Sequence, residues 1–179
     1  ISGGVATMDY IATSDIEVHI AYNNADNLIY AVSKHENSYR TINPHEVDPS
    51  FGPAIALGAD YGELTAAVFA PYGNLLIGSQ DNTAIYSVNV STNVVSSYDT
   101  YAPVTGGDLA FASDGMLYLA TRSGMGGLYE VYPADVIADV LIGSVPNLVT
   151  GMAITDVDQL LVSAQGNMSL DLYNADGSS

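Results

Sequence analysis

The chain has no cysteine and no tryptophan, and only three of its 179 residues, Lys34, Arg40 and Arg122, are lysine or arginine. Without cysteine there can be no disulfide, no thiolate nucleophile and no zinc site built on sulfur. Without clustered cations a phosphate backbone or an anionic membrane surface finds little to hold, which argues against nucleic acid as a partner. Long apolar runs are missing too. Gly, Pro, Asn or Asp interrupts each one before the roughly 18 residues that a membrane-spanning helix requires, so no helical membrane insertion is expected.

What the chain does contain is acid and apolar residues. Twenty Asp and Glu leave a formal charge of −17 and an isoelectric point near 4.1. Such a field keeps a protein soluble and favours cationic ligands, metal ions or basic protein surfaces. Hydrophobic residues make up 48% of the chain and charged ones 13%, with a mean hydropathy of +0.21, which is a composition that folds. The opening "ISGGVATMDY" has neither an initiator Met nor a basic, apolar leader, and reads as the start of an excised piece of a longer precursor or assembly.

Four segments of the chain align with one another: "HIAYNNADNLIYAV" (19–32), "AAVFAPYGNLLIGS" (66–79), "DLAFASDGMLYLAT" (108–121) and "GMAITDVDQLLVSA" (151–164). Each is a short apolar run, a turn built from Gly, Asn, Asp or Pro, and a second apolar run, which is the signature of a β-hairpin. Three rows of residues keep the same spacing. The first runs are Ile20-Ala21-Tyr22, Ala67-Val68-Phe69, Leu109-Ala110-Phe111 and Met152-Ala153-Ile154. The second runs open on Leu28, Leu75, Leu117 and Leu160, and a third β-like segment carries Tyr39, Tyr86, Tyr129 and Tyr173.

A fourth strand is expected at 52–59, 94–100 and 138–144. Four short strands in each repeat of about 40–45 residues make the blade of a β-propeller. The expected fold is therefore all-β: a propeller of four four-stranded repeats over roughly 13–60, 61–105, 106–148 and 149–179, forming one domain. It is either a closed four-bladed ring or part of a larger propeller. Residues 5–12 belong to no blade of their own, and closure of the ring would have them pair into the fourth blade.

The hairpin "SDGMLYLAT" (113–121), with weaker forms in "ADNLIYAVS" (25–33) and "YGNLLIGSQ" (72–80), resembles the repeats of β-propellers in general, loosely the NHL-type and lactonase-like ones. This resemblance spans nearly the whole chain and implies the fold, not one family. Lactonase-like relatives would have about six blades, more than four repeats supply.

In a propeller the inner strands line a central channel whose mouth commonly binds ligands. The residues just before the inner triplets are His19, Ala66, Asp108 and Gly151, so His19 and Asp108 are expected to face one another from the first and third blades. Glu17 lies two residues upstream of His19, on the same strand face. Imidazole and carboxylate are both metal ligands, so a divalent cation such as calcium is a possible cofactor. The loop motif for calcium, however, is not met at "TDVDQL" (155–160) or "YNADGSS" (173–179), where turn chemistry accounts for the Asp and Asn residues.

"SKHENSYR" (33–40) and "HEVD" (45–48) read as polar loops. Tyr61, Tyr72, Tyr98 and Tyr101, near turns, are candidates for a contact surface. Asn89 and Asn167 head glycosylation triplets. Nothing marks a serine-nucleophile elbow or a phosphate loop.

Two functional readings follow. The first is a non-catalytic binding or spacer module of a secreted or cell-surface protein, making contact with a protein or glycan ligand. The alternative is a metal-assisted hydrolase or lyase at the channel mouth, using Glu17, His19 and Asp108.

Overall fold

The computed structural model describes residues 17–99, 107–121, 126–133, 138–145, 149–155, 157–164 and 170–174. They form fifteen β-strands and, among the described residues, no helix. The first blade is β1 (Val18–Asn23), β2 (Leu28–Ser33), β3 (Ser38–Ile42) and β4 (Ile55–Ala56). The second is β5 (Leu64–Phe69), β6 (Leu75–Ser79), β7 (Ala84–Asn89) and β8 (Val94–Asp99). The third is β9 (Gly107–Phe111), β10 (Leu117–Thr121), β11 (Gly127–Val131) and β12 (Val140–Ser144), and the fourth is β13 (Val149–Ile154), β14 (Leu160–Ala164) and β15 (Leu170–Tyr173).

Each blade is an antiparallel meander. The expected all-β propeller of four repeats is what forms, its four sheets arranged as four blades with three described strands in the fourth. The proposed closing strand 5–12 lies outside the described residues.

The inner hairpins turn where the sequence supplies residues that tolerate left-handed backbone: Asn27 (φ 60°), Gly73 (φ 92°), Gly115 (φ 87°) and Asp158 (φ 56°). In the second and third blades the second strand is sandwiched, which is why it reads as a continuous apolar run instead of an alternating one. Leu75, Leu76 and Ile77 of β6 are all fully buried, as are Leu119 and Ala120 of β10. Three cores fill the spaces between successive blades. One joins Ala21, Tyr30 and Val32 to Leu64, Leu75 and Ile77, the next joins Leu76 and Ile85 to Leu117 and Leu119, and the third joins Ala110 and Tyr118 to Met152 and Leu160.

Around the centre β1 packs on β5, β5 on β9 and β9 on β13.

One row of the repeat does not keep its place. Phe69 pairs with Leu75, Phe111 with Leu117 and Ile154 with Leu160, but in the first blade Asn23 pairs with Leu28 and Tyr22 with Ile29. A shift of one residue turns every side chain of a strand to the opposite face. Leu75 and Leu117 accordingly point back toward the preceding blade, while Leu28, Tyr30 and Val32 point forward to the second. Tyr39 is carried with them. Its ring, 1% exposed, packs 5.6 Å from that of Tyr30, and its hydroxyl donates to Asn93 Oδ1 of the second blade at 2.6 Å.

Candidate functional site

The starts of the four inner strands enclose a cavity of about 390 Å³ lined by Glu17, Val18, His19, Lys34, Thr65, Gly107, Val149 and Thr150. Glu17 stands just before β1 and Lys34 just after β2. The two backbones are tied by the Lys34 N–H donating to the Glu17 carbonyl at 3.0 Å. That pairing sets their side chains together, and the Lys34 ammonium donates to both Glu17 carboxylate oxygens at 3.1 and 3.0 Å. Lys34 is drawn in, with 14% of its side chain exposed, so it is not the tip of a polar hairpin that its loop suggested. Its hydrogen bond to Glu17 holds the glutamate below the usual carboxylate range, and the nearby His19 and His35 act in the same direction. The Lys34 carbonyl also accepts the Leu64 N–H at 2.9 Å, which anchors this corner to the second blade.

Two threonines complete the mouth, and the repeat pattern did not flag them. In β5 the register jumps from Leu64–Ser79 to Ala66–Gly78, leaving Thr65 as the extra residue of a bulge. In β13 it jumps from Val149–Ala164 to Gly151–Ser163, leaving Thr150 in the same position. A bulge re-aims one side chain and often does so beside a binding site. The second and fourth blades thus each offer a hydroxyl where the first offers Glu17 and His19. The signal available in sequence was a Thr directly before the small residue at Ala66 and Gly151.

Asp108 sits elsewhere. It lines a second cavity, about 330 Å³, further along the same strands with Ile20, Tyr22, Phe69, Phe111 and Ile154. Its carboxylate accepts the Leu109 N–H at 2.9 Å on Oδ1 and the Met152 N–H at 2.8 Å on Oδ2, bridging the third blade to the fourth. Burial pushes this carboxyl up to about 6, against the two backbone hydrogen bonds that lower it.

His19 and Asp108 therefore do not line one cavity, and the expected convergence of Glu17, His19 and Asp108 resolves into a Glu17–His19 pair and a separate Asp108. Among the described residues no three of His, Asp and Glu gather as a metal site.

Other candidates serve the scaffold. Asp158 accepts the Ser113 N–H and hydroxyl at 2.9 and 2.7 Å, linking the third and fourth blades. Asn89 Oδ1 accepts the N–H groups of Ser91 and Thr92 in a turn. Tyr61 packs tilted against Tyr86 with ring centroids 4.6 Å apart, while Tyr72 is 59% exposed. Tyr101, Asp156, Asn167 and Asp176 lie outside the described residues.

A family model described as a repeat of unknown function, DUF6923, matches residues 12–175. The chain belongs to this repeat family. No curated protein matches the sequence.

Among solved structures, virginiamycin B lyase from Staphylococcus aureus is similar at 12% identity and a TM-score of 0.66, over 93% of this chain and 55% of that one. A Xanthomonas campestris gluconolactonase is similar at 12% identity and a TM-score of 0.62, over 89% of this chain and 59% of that one. Hydrazine synthase from Kuenenia stuttgartiensis gives 12% identity and 0.63 over 96% of this chain and 49% of that one. The DUF6923 chain thus spans about half to three-fifths of the length of these structures, and the likeness lies in the fold.

The lactonase-like resemblance seen in the hairpins is met at the level of structure. The reading of a non-catalytic binding or spacer module is corrected: the structures of similar fold named here are enzymes, among them a lyase and a gluconolactonase, and the inner-strand mouth gathers the titratable side chains Glu17, His19 and Lys34.

Proposed function

We propose that this chain carries the catalytic mouth of a hydrolase- or lyase-type propeller acting on a small polar substrate of the lactone class. The observation that supports it is the cavity of about 390 Å³ in which Glu17, His19 and Lys34 meet the bulged Thr65 and Thr150. Cleavage of a C–O bond by hydrolysis or by elimination begins with removal of a proton, from water or from carbon, and ends with protonation of a departing oxygen. His19 is the group that takes the proton. Glu17, kept ionised by Lys34, stabilises the imidazolium that results. Thr65 and Thr150 donate hydrogen bonds to substrate oxygen, and Lys34 supplies positive charge where oxyanion character develops. Among the described residues, Glu17 and His19 are the side chains at this mouth that could also ligate a metal ion, and the acid–base roles above are those of the side chains themselves.

The test is a pH-stat assay of acid release from glucono-1,5-lactone and other sugar lactones by the full chain. His19→Gln and Glu17→Gln are expected to lower kcat about 10²- to 10⁴-fold with the melting temperature unchanged. Failure of the intact chain to exceed the uncatalysed rate on any lactone, or full activity in both variants, overturns the proposal.

A further inference from the structure

The second cavity shares no lining residue with the first and has a different chemistry. The third residue of each inner triplet, Tyr22, Phe69, Phe111 and Ile154, comes to its lining, one from each blade, with Ile20 beside Tyr22. None of these five is fully buried. Ile20 is 64% exposed and Tyr22 45%, a cost in apolar surface that the inter-blade cores do not recover. Among the described residues Asp108 is the one charged group in the lining, and it is fixed in place by its two backbone hydrogen bonds at 2.9 and 2.8 Å. A carboxylate has about four acceptor sites, so two bonds leave acceptor capacity for a ligand. Aromatic rings attract cations through their quadrupole, and a chain with a net charge of −17 concentrates cations around itself.

We infer that this cavity, lined by Tyr22, Phe69, Phe111, Ile154 and Asp108, is a binding site for a small organic cation with apolar substituents, an alkyl- or arylammonium ion. An anion would meet the Asp108 charge inside an acidic molecule. A neutral apolar group would satisfy the rings but leave the carboxylate desolvated and unpaired. An inorganic cation, which needs several oxygen ligands, would find a single carboxylate among the lining side chains of the described residues. Only an ammonium that carries its own apolar surface matches both parts of the lining. At about 330 Å³ the cavity has room for a group the size of choline or phenyltrimethylammonium.

The test is isothermal titration of the full chain with choline and with its neutral carbon isostere, 3,3-dimethylbutan-1-ol, at about pH 8. Choline is expected to bind at least tenfold more tightly than the isostere. Asp108→Asn should erase that preference, and Tyr22→Leu, at an exposed position that leaves the cores untouched, should weaken choline several-fold. Circular dichroism melts of each variant confirm that it is folded. No choline binding by the intact chain, equal binding of choline and isostere, or undiminished binding in Tyr22→Leu and in folded Asp108→Asn would each overturn the inference. Lactonase activity lost in His19→Gln with choline binding intact would separate the two sites, so that either can fail without the other.

Discussion

Asp108 couples the stability of the third and fourth blades to pH. Its carboxyl titrates near 6 in the folded chain and has an ordinary value of 3.8. The folded state therefore holds the Asp108 proton more tightly than the unfolded chain does. A raised folded value means that the associated stability is fully present below about pH 3.8, declines as the pH rises, and is gone above about 6. The difference of roughly two pK units, at about 1.36 kcal/mol each, amounts to about 3 kcal/mol.

The clean comparison is with Asp108→Asn, which cannot titrate. Its carboxamide oxygen can accept only one of the two N–H bonds from Leu109 and Met152 with good geometry, a loss of about 1–3 kcal/mol that does not depend on pH. Urea unfolding of both proteins between about pH 4 and pH 8 should show wild type losing about 2 kcal/mol relative to Asp108→Asn on going from pH 4 to 6.5, and almost nothing further above it. Other carboxyls, such as Asp139, cancel in the difference. A wild-type minus variant curve that is flat across this range refutes the assignment of the raised carboxyl to Asp108.

Two further outcomes follow from the packing. Gly107 opens β9 at φ 133°, and a Cβ there would collide with the Ala120 carbonyl on the paired strand. Gly107→Ala should therefore cost about 2 kcal/mol or more in urea unfolding, by strain rather than by lost contacts. Tyr39→Phe removes only the hydroxyl that reaches Asn93 across the first two blades, and should cost about 1 kcal/mol, whereas Tyr39→Ala should cost about 3–5 kcal/mol by opening the shared core. Equal effects of the two changes in thermal or urea melts would mean that the ring is not packed as described.

The mouth of the channel was only half legible from sequence. Glu17 and His19 could be placed there because the repeat marks where each inner strand begins, and the side chains nearest that point must face the channel end. Lys34 looked like a turn residue, because nothing local says that a backbone pairing with Glu17 will draw its ammonium inward. Thr65 and Thr150 share only the small residue that follows each of them, a mark too slight to single them out, since a bulge is a mismatch between two strands. Asp108 was put opposite His19 by repeat arithmetic, but hydrogen bonds from Leu109 and from Met152 of the next blade hold it deeper, in a separate cavity.

By itself the sequence determined the strands, their order and the turns. Alternating or continuous apolar runs broken by Asn27, Gly73, Gly115 and Asp158 have few ways to fold other than as hairpins, and four such units in tandem must bury their faces on one another. Tertiary structure alone decided which face each strand shows its neighbour. The first hairpin, with the same spacing as the others, pairs one residue out of step, so Leu28, Tyr30 and Tyr39 turn forward where Leu75 and Leu117 turn back. Register depends on which of two apolar faces finds the better core across the gap, and that comparison exists only once the neighbouring blade is in place.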